Sequence, residues 1–393
     1  MTQIDTSFST LAQPEFSARP LREMTRHFTP NWFAATMGTG GLALALNQFP
    51  FPIPGLRDAA QALWMFNFGL YCLFGLIYAA LWVFFFDGAR RIFDHPTASM
   101  FFGCIPMGLA TIINGFLAFG VPLWGERALA IAHTLWLTDV AMSLACGLFI
   151  PFLMFTRQDH RLPKMTAIWL LPVVAAEVAA ASGALLATHL AAPEALSIVV
   201  ISYALWGVSV PLAMSILVIL FLRLALHKLP ERDMAASGWL ALGPIGTGAL
   251  GLLLLGSCAP RVFAAAGTSA VGDVAFGFGV LGGAILWGYG LWWLLLAALK
   301  TAVYVRRGMP FNLGWWGFTF PLAVYTLATL ALANATHLGF LSVIGAVLVV
   351  CLAAFWLIVA ARTAHGAWRR TLFVAPCLAA APIRRRLEAS EVV

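Results

Sequence analysis

The residues with the greatest capacity for chemistry are two carboxylates set inside long apolar runs. Asp139 and Glu177 each lie about a dozen residues into such a run. If the two runs form adjacent antiparallel helices, the acids share one depth. Ionisable groups inside a membrane are costly and usually functional. No lysine or arginine lies in the middle of any apolar run, so each acid is either protonated or hydrogen-bonded to hydroxyls and backbone. Two roles follow: capping serine and threonine groups between helices, or relaying protons coupled to the movement of an anion. Asp273 falls at the outer end of a later run and reads as interfacial.

The remaining motifs carry less. Gly246-Thr-Gly248-Ala-Leu-Gly251 and Gly277-Phe-Gly279-Val-Leu-Gly282 match a dinucleotide fingerprint, but both lie in apolar helical runs and neither follows a strand. No GxxxxGK[ST] segment is present, so ATP-driven pumping by this chain alone is not expected. The eight histidines (27, 95, 133, 160, 189, 227, 337, 365) show no i, i+4 pairing for a metal. No nucleophile is paired with a base in the manner of a hydrolase. Six cysteines (72, 104, 146, 258, 351, 377) lack paired spacing and read as small core residues. The expectation is a chain that is not an enzyme, with no metal and no cofactor.

Composition names the solvent. Of 393 residues, 61% are hydrophobic and 10% charged, with mean hydropathy +0.89. A soluble domain carries roughly 25% charge. A net charge of +7 would suggest nucleic acid on a soluble fold, but here the basic residues sit in short connections between apolar runs. Ten runs are long enough to cross about 30 Å of hydrocarbon: 31–50, 60–86, 97–120, 128–156, 165–188, 195–222, 235–257, 271–299, 313–334 and 338–361. In lipid such runs must be helices, because each segment satisfies its own backbone.

Orientation follows from a count. Twenty of the 23 Lys and Arg fall on one side, leaving Arg57, Arg127 and Arg261 on the other. Positive charge stays inside, so both termini are expected in the cytosol and the protein in the inner (plasma) membrane. Residues 1–30 then form a cytosolic tail without a cleaved signal. Residues 31–362 form one membrane transport domain, and 363–393 a basic cytosolic tail.

The odd-numbered spans repeat a pattern of an aromatic, four residues, then a helix breaker. It reads Phe33…Gly38, Phe101…Pro106, Trp239…Pro244 and Trp316…Pro321, while span 5 keeps Pro172 with Trp169. The breakers are 68, 66, 72 and 77 residues apart, one helical hairpin each. A break in mid-helix would start a new helix whose N-terminus carries free N–H groups and partial positive charge. Five such ends around one axis would form an anion-friendly constriction. The even spans differ. Span 2 is bulky all round, as a lipid-facing helix should be, and Gly279–Gly283 in span 8 suits close helix packing.

Several stretches resemble the tellurite-resistance/dicarboxylate transporter family, which includes plant slow anion channels, fungal sulfite efflux pumps and malate permeases. They are Phe28-Thr-Pro-Asn-Trp-Phe-Ala-Ala-Thr-Met-Gly-Thr-Gly40, Trp169-Leu-Leu-Pro172, Leu242-Gly-Pro-Ile-Gly-Thr-Gly-Ala-Leu-Gly251 and Trp315-Trp-Gly-Phe-Thr-Phe-Pro-Leu322. Spans 1 and 7 look most like the sulfite-pump and malate-permease branch. Thr247 departs from it, at a position where fungal relatives are expected to carry glutamine.

The resemblance implies an all-α integral membrane protein of ten helices. They form five tandem hairpins around a pseudo-fivefold pore, odd helices inner and even helices outer, and three copies assemble with one pore each. It implies transport of a small anion, sulfite efflux first and a malate-type dicarboxylate second, with a passive gated anion channel as the contrasting class. The expected path is lined by Gly38, Thr39, Gly40, Pro106, Gly108, Pro172, Gly243, Pro244, Gly246, Thr247, Gly248, Phe318 and Pro321. The resemblance places a plugging ring at Phe320. Among the residues before each breaker (Met37, Ile105, Leu171, Gly243, Phe320) it alone is aromatic.

Overall fold

The computed structural model describes residues 21–373. Most of the two expected tails, with Arg19, Cys377 and Arg384 to Arg386, lies outside those residues. The chain folds as ten principal helical elements: α1 (Ala34–Asn47), α2 (Leu56–Phe84), α3 (Ser99–Trp124), α4 (Glu126–Thr156), α5 (Ala167–Ala187), α6 (Ala192–His227), α7 (Arg232–Ala265), α8 (Ser269–Arg306), α9 (Leu313–Thr336) and α10 (Gly339–Trp368). No strand occurs among the described residues. Helices α2 to α10 are each long and apolar enough to cross a membrane. α1 is shorter and rich in glycine and threonine. The even helices outgrow the expected spans: α6 and α8 reach 36 and 38 residues, roughly 54–57 Å at 1.5 Å per residue. Helix α10 likewise runs on to Trp368, past the expected start of the tail.

Two layers are evident. The apolar windows of α3, α5, α7 and α9 are 78–94% buried, whereas those of α2, α4, α6, α8 and α10 are 17–33% buried. α1 joins the buried class, with eleven of its fourteen residues enclosed. The even helices expose large apolar side chains such as Phe155 (83%) and Val83 (74%), as only a lipid-facing surface would. Each odd helix packs against the next odd one, and α9 returns to α1, which closes an inner ring of five. Each even helix packs between two neighbours of that ring: α2 between α1 and α3, and so on round to α10 between α9 and α1.

The expected mid-helix breaks lie elsewhere. Every inner helix opens with a 3-10 turn that passes directly or within a few residues into α-helix: Pro30–Phe33, Ser99–Gly103, Ala167–Leu170, Arg232–Trp239 and Leu313–Phe318. The repeated aromatics fall in these turns. The repeated prolines fall in the first turn of the α-helix that follows, at Pro106, Pro172, Pro244 and Pro321. There a missing N–H costs nothing and the fixed φ suits helix initiation. The prolines therefore begin helices instead of kinking them, and Gly38 lies inside an uninterrupted α1.

A set of indole hydrogen bonds ties the layers together. Each even helix donates one tryptophan N–H to the next inner helix: Trp64 to Ile112 O (3.3 Å), Trp136 to Ala179 O (2.9 Å), Trp206 to Gly248 O (2.9 Å), Trp287 to Thr329 Oγ1 (2.9 Å) and Trp356 to Thr39 Oγ1 (3.0 Å). A buried indole needs such a partner. The α7–α8 contact is closer than the others. A Cβ at Gly279 would stand 2.6 Å from Leu252 O, and one at Gly283 2.7 Å from Leu253 Cγ, which is the close packing expected of that pair.

Candidate functional site

The inner ring encloses two cavities. The first, about 500 Å³, gathers the N-terminal ends of all five inner helices: Met37, Cys104, Leu171, Leu240 and Phe320 among its lining. The second, about 610 Å³, gathers their C-terminal halves, including Leu44, Asn114, Ala181, Leu250 and Leu327. The five inner helices therefore run parallel. The first cavity is surrounded by the positive ends of five helix dipoles and the second by negative ends. Neither is lined by lysine or arginine.

The cavities share no lining residue. On α7 the gap runs from Leu240 to Leu250, and on α9 from Pro321 to Leu327. Six to ten residues of helix make a barrier of roughly 9–15 Å. Residues on the cavity-facing stripes can be read from helical spacing. On α7, Leu240, Gly243, Thr247, Leu250 and Leu254 follow at steps of three and four. On α9 the same rhythm gives Phe320, Val324, Leu327 and Ala331, on α5 Leu171, Val174, Val178, Ala181 and Leu185, and on α1 Met37, Gly41, Leu44 and Gln48.

Of the expected path residues, Phe320 and Pro321 line the first cavity. Phe320 is 5% exposed, at the floor of that cavity. Gly243 and Thr247 lie on the α7 stripe inside the barrier. Gly243 is buried yet borders open space, since nothing lies within 4 Å of an added Cβ. The Thr247 hydroxyl is buried without a partner.

The other expected path residues line neither cavity. Thr39 accepts the Trp356 indole. Gly38 abuts Trp316 and Thr319, Gly40 abuts Thr111 and Asn67, and Gly108 abuts Thr36 and Tyr71. Gly246 faces the backbone of Tyr325, Gly248 faces Val210, and Phe318 packs on Trp239, Trp315 and Phe355. Pro106, Pro172 and Pro244 are helix-initiating. These glycines let helices approach, which explains their presence without an anion. Gly41 and Val324 were missed, because a helix that is apolar all round gives no periodicity to mark its functional face.

Asp139 and Glu177 are fully buried, and neither carboxylate makes a hydrogen bond. The expected capping of hydroxyls is not present: Ser143 is itself without a partner, and Ser209, which faces Glu177, donates to Val173 O at 2.8 Å. Trp136 and its partner Ala179 place the two acids at similar depth. They face different neighbours, Asp139 toward Tyr71 and Cys146, Glu177 toward Ser209 of α6.

His95 stands at the rim of the first cavity. Its Nδ1 accepts from Thr97 N (3.2 Å) and Ala98 N (3.1 Å), so that nitrogen carries no proton. Burial holds the imidazole below its ordinary pKa. No group of histidine, cysteine or acidic residues among the described residues has metal-site geometry.

Residues 27–364 match the family model described as voltage-dependent anion channel, SLAC1. The chain belongs to this family. It is 41% identical over 350 residues to the sulfite efflux pump SSU1 of Trichophyton rubrum, covering 88% of this chain and 92% of the relative. An uncharacterized transporter of Methanocaldococcus jannaschii is 29% identical over 353 residues, 89% and 96% of the two chains. The malic acid transport protein of Schizosaccharomyces pombe is 21% identical over 346 residues, 86% and 78%. The family match takes in the ten helical elements except the last four residues of α10, and it covers the whole barrier and all of the cavity lining but Thr371 and Leu372.

Proposed function

We propose that this protein moves sulfite out of the cell through the axis of its inner ring. The observation that carries the reading is the convergence of five helix N-termini on one cavity with no cation to trap the ion. Likeness to the fungal sulfite efflux pump favours sulfite over malate, since the malate relative is far more distant. In this reading α1, with its 3-10 lead-in, is a tenth crossing, and the charge count puts the first cavity in the cytosol and the second outside. The host is the plasma membrane, and three copies associate.

Phe320 closes the cytosolic cavity, because an anion passing its ring must shed water with no countercharge in return. Gly243 leaves the free space into which the ring turns. Thr247 offers the anion a hydroxyl within the barrier. Asp139 and Glu177 are the groups available for proton coupling, Glu177 being nearer the α7 side of the ring through its α6 neighbour. The deciding experiment is flux from liposomes loaded with sulfite, malate, chloride or nitrate, with and without a pH gradient. Sulfite flux above the other anions supports the reading. Malate flux without sulfite flux sinks it.

A further inference from the structure

The outer cavity sets an electrostatic problem. All five inner helices point their C-termini toward it, and the partial negative charge of terminal carbonyls repels an emerging anion. No lysine or arginine lines the cavity to offset that charge. Its polar lining is instead a set of side-chain amides, Asn47 and Gln48 from the end of α1, Asn114 from α3 and Asn334 from α9, together with His189, His337 and Ser257. Nothing among the described residues hydrogen-bonds to any of these four side chains, and the Asn114 Oδ1 is buried without a partner. Four amides from three helices thus face one cavity unengaged: Asn47 and Asn114 are half-buried, Gln48 and Asn334 are exposed, and the enclosed Asn114 Oδ1 is the unusual one, because buried polar atoms are nearly always paired. Each carries an NH2 with two donors.

We infer that the outer cavity is an oxyanion-binding site built from the uncharged amides of Asn47, Gln48, Asn114 and Asn334. It deepens the transport reading above and rests on it for the identity of the ion. Amide N–H groups replace part of the hydration shell that the ion lost at the Phe320 barrier. A tetrahedral or pyramidal oxyanion presents three or more acceptor oxygens, so it engages several amides at once, whereas chloride presents a single centre. The site therefore selects oxyanions. Because none of the four amides carries a full charge, they hold the ion weakly enough for it to leave, as throughput requires. The Ser257 hydroxyl donates to Leu253 O (2.7 Å) and is not a further donor here.

The test uses the full chain, with inorganic sulfite as probe and chloride as comparison. Two double variants are made: Asn114→Leu with Asn334→Leu, and Asn114→Asp with Asn334→Asp. Sulfite should raise the Tm of the purified wild type, and that rise should vanish in both variants. In liposomes the leucine pair should lower the sulfite-to-chloride flux ratio by roughly fivefold or more, the loss expected from about one hydrogen bond. The aspartate pair should cut sulfite flux further by repulsion. If the leucine pair does not fold, the aspartate pair, nearly identical in size, carries the test. Sulfite stabilisation that persists in the variants, or is absent from the wild type, overturns the site. A wild type stabilised by sulfite through these amides but moving none keeps the site and removes the transport reading.

Discussion

Gly41 and the ring of Phe320 meet across the α1–α9 boundary: a Cβ built at Gly41 would stand 3.9 Å from Cδ2 of Phe320 and 2.7 Å from Cβ of Ala323, one turn further along α9. The ring therefore lies beside a stretch of α1 that carries no side chain, so α1 offers little at Gly41 to refill the space when the ring is truncated. Phe320→Ala should raise anion flux by roughly tenfold, equivalent to about 1.4 kcal/mol off the barrier. Flux per folded molecule in liposomes is the measurement. A ring that only packs would instead lower the yield of folded protein at unchanged flux.

Two glycines on α7, three residues apart, should respond oppositely. Gly243→Val adds atoms to open space, so flux should fall several-fold while Tm stays near wild type. Gly246→Val drives side-chain atoms into the backbone of Tyr325, 2.8 Å from an added Cβ, and should cost about 1–3 kcal/mol by overpacking. Thermal melts beside flux measurements separate the two. Equal stability loss at both positions would take Gly243 out of the ion path.

That contrast shows how much was legible in the sequence. The apolar runs and the aromatic-to-breaker repeat marked the layers and the hairpins. The inward face of each inner helix was hidden, since those helices are enclosed on every side. Gly40 and Gly41 are equivalent in the sequence, yet one meets Thr111 of α3 and the other Ala323 of α9, with the Phe320 ring beside it. The prolines were misplaced for a different reason: composition does not tell a proline that kinks a helix from one that starts it. The five tryptophans at 64, 136, 206, 287 and 356 are spaced about one hairpin apart, a signal hidden among fifteen tryptophans.

The indole ties should be individually measurable. Trp136→Phe keeps an aromatic ring but removes the pyrrole half of the buried indole, and with it the N–H that reaches Ala179 O at 2.9 Å. The hydrogen bond accounts for about 1 kcal/mol of the expected loss and the deleted ring atoms add to it, read together as a lower midpoint in detergent unfolding. No change in midpoint would mean that the tie at Trp136 adds nothing to stability.

Proton coupling is tested at Glu177. Glu177→Gln keeps the shape of a fully buried side chain with no hydrogen bond. It should abolish the response of flux to an imposed pH gradient at near-normal abundance. A pH response that persists unchanged assigns the carboxylate to structure.

Orientation is tested by labelling. Gly267 and Gly308 both take positive φ, so cysteine is better placed at exposed neighbours free of that strain. Thr268→Cys, between α7 and α8, should react with an impermeant maleimide added outside intact cells. Asp159→Cys, between α4 and α5, should react only after permeabilisation. The unmodified chain supplies the background, and reversed labelling would invert both cavities.

The tie from Trp356 to Thr39 has a topological meaning. It spans the one joint in the ring where no loop connects neighbouring hairpins, and it uses the same kind of bond as the four joints that loops cross. Beside it, Phe373 stacks on Trp32 with ring centroids 4.8 Å apart, which brings the end of the described chain back to its beginning. The seam is thus held by contacts alone, and the order of the hairpins along the chain is separable from their order in space. A chain joined there and cut at another joint would trace the same five-membered ring.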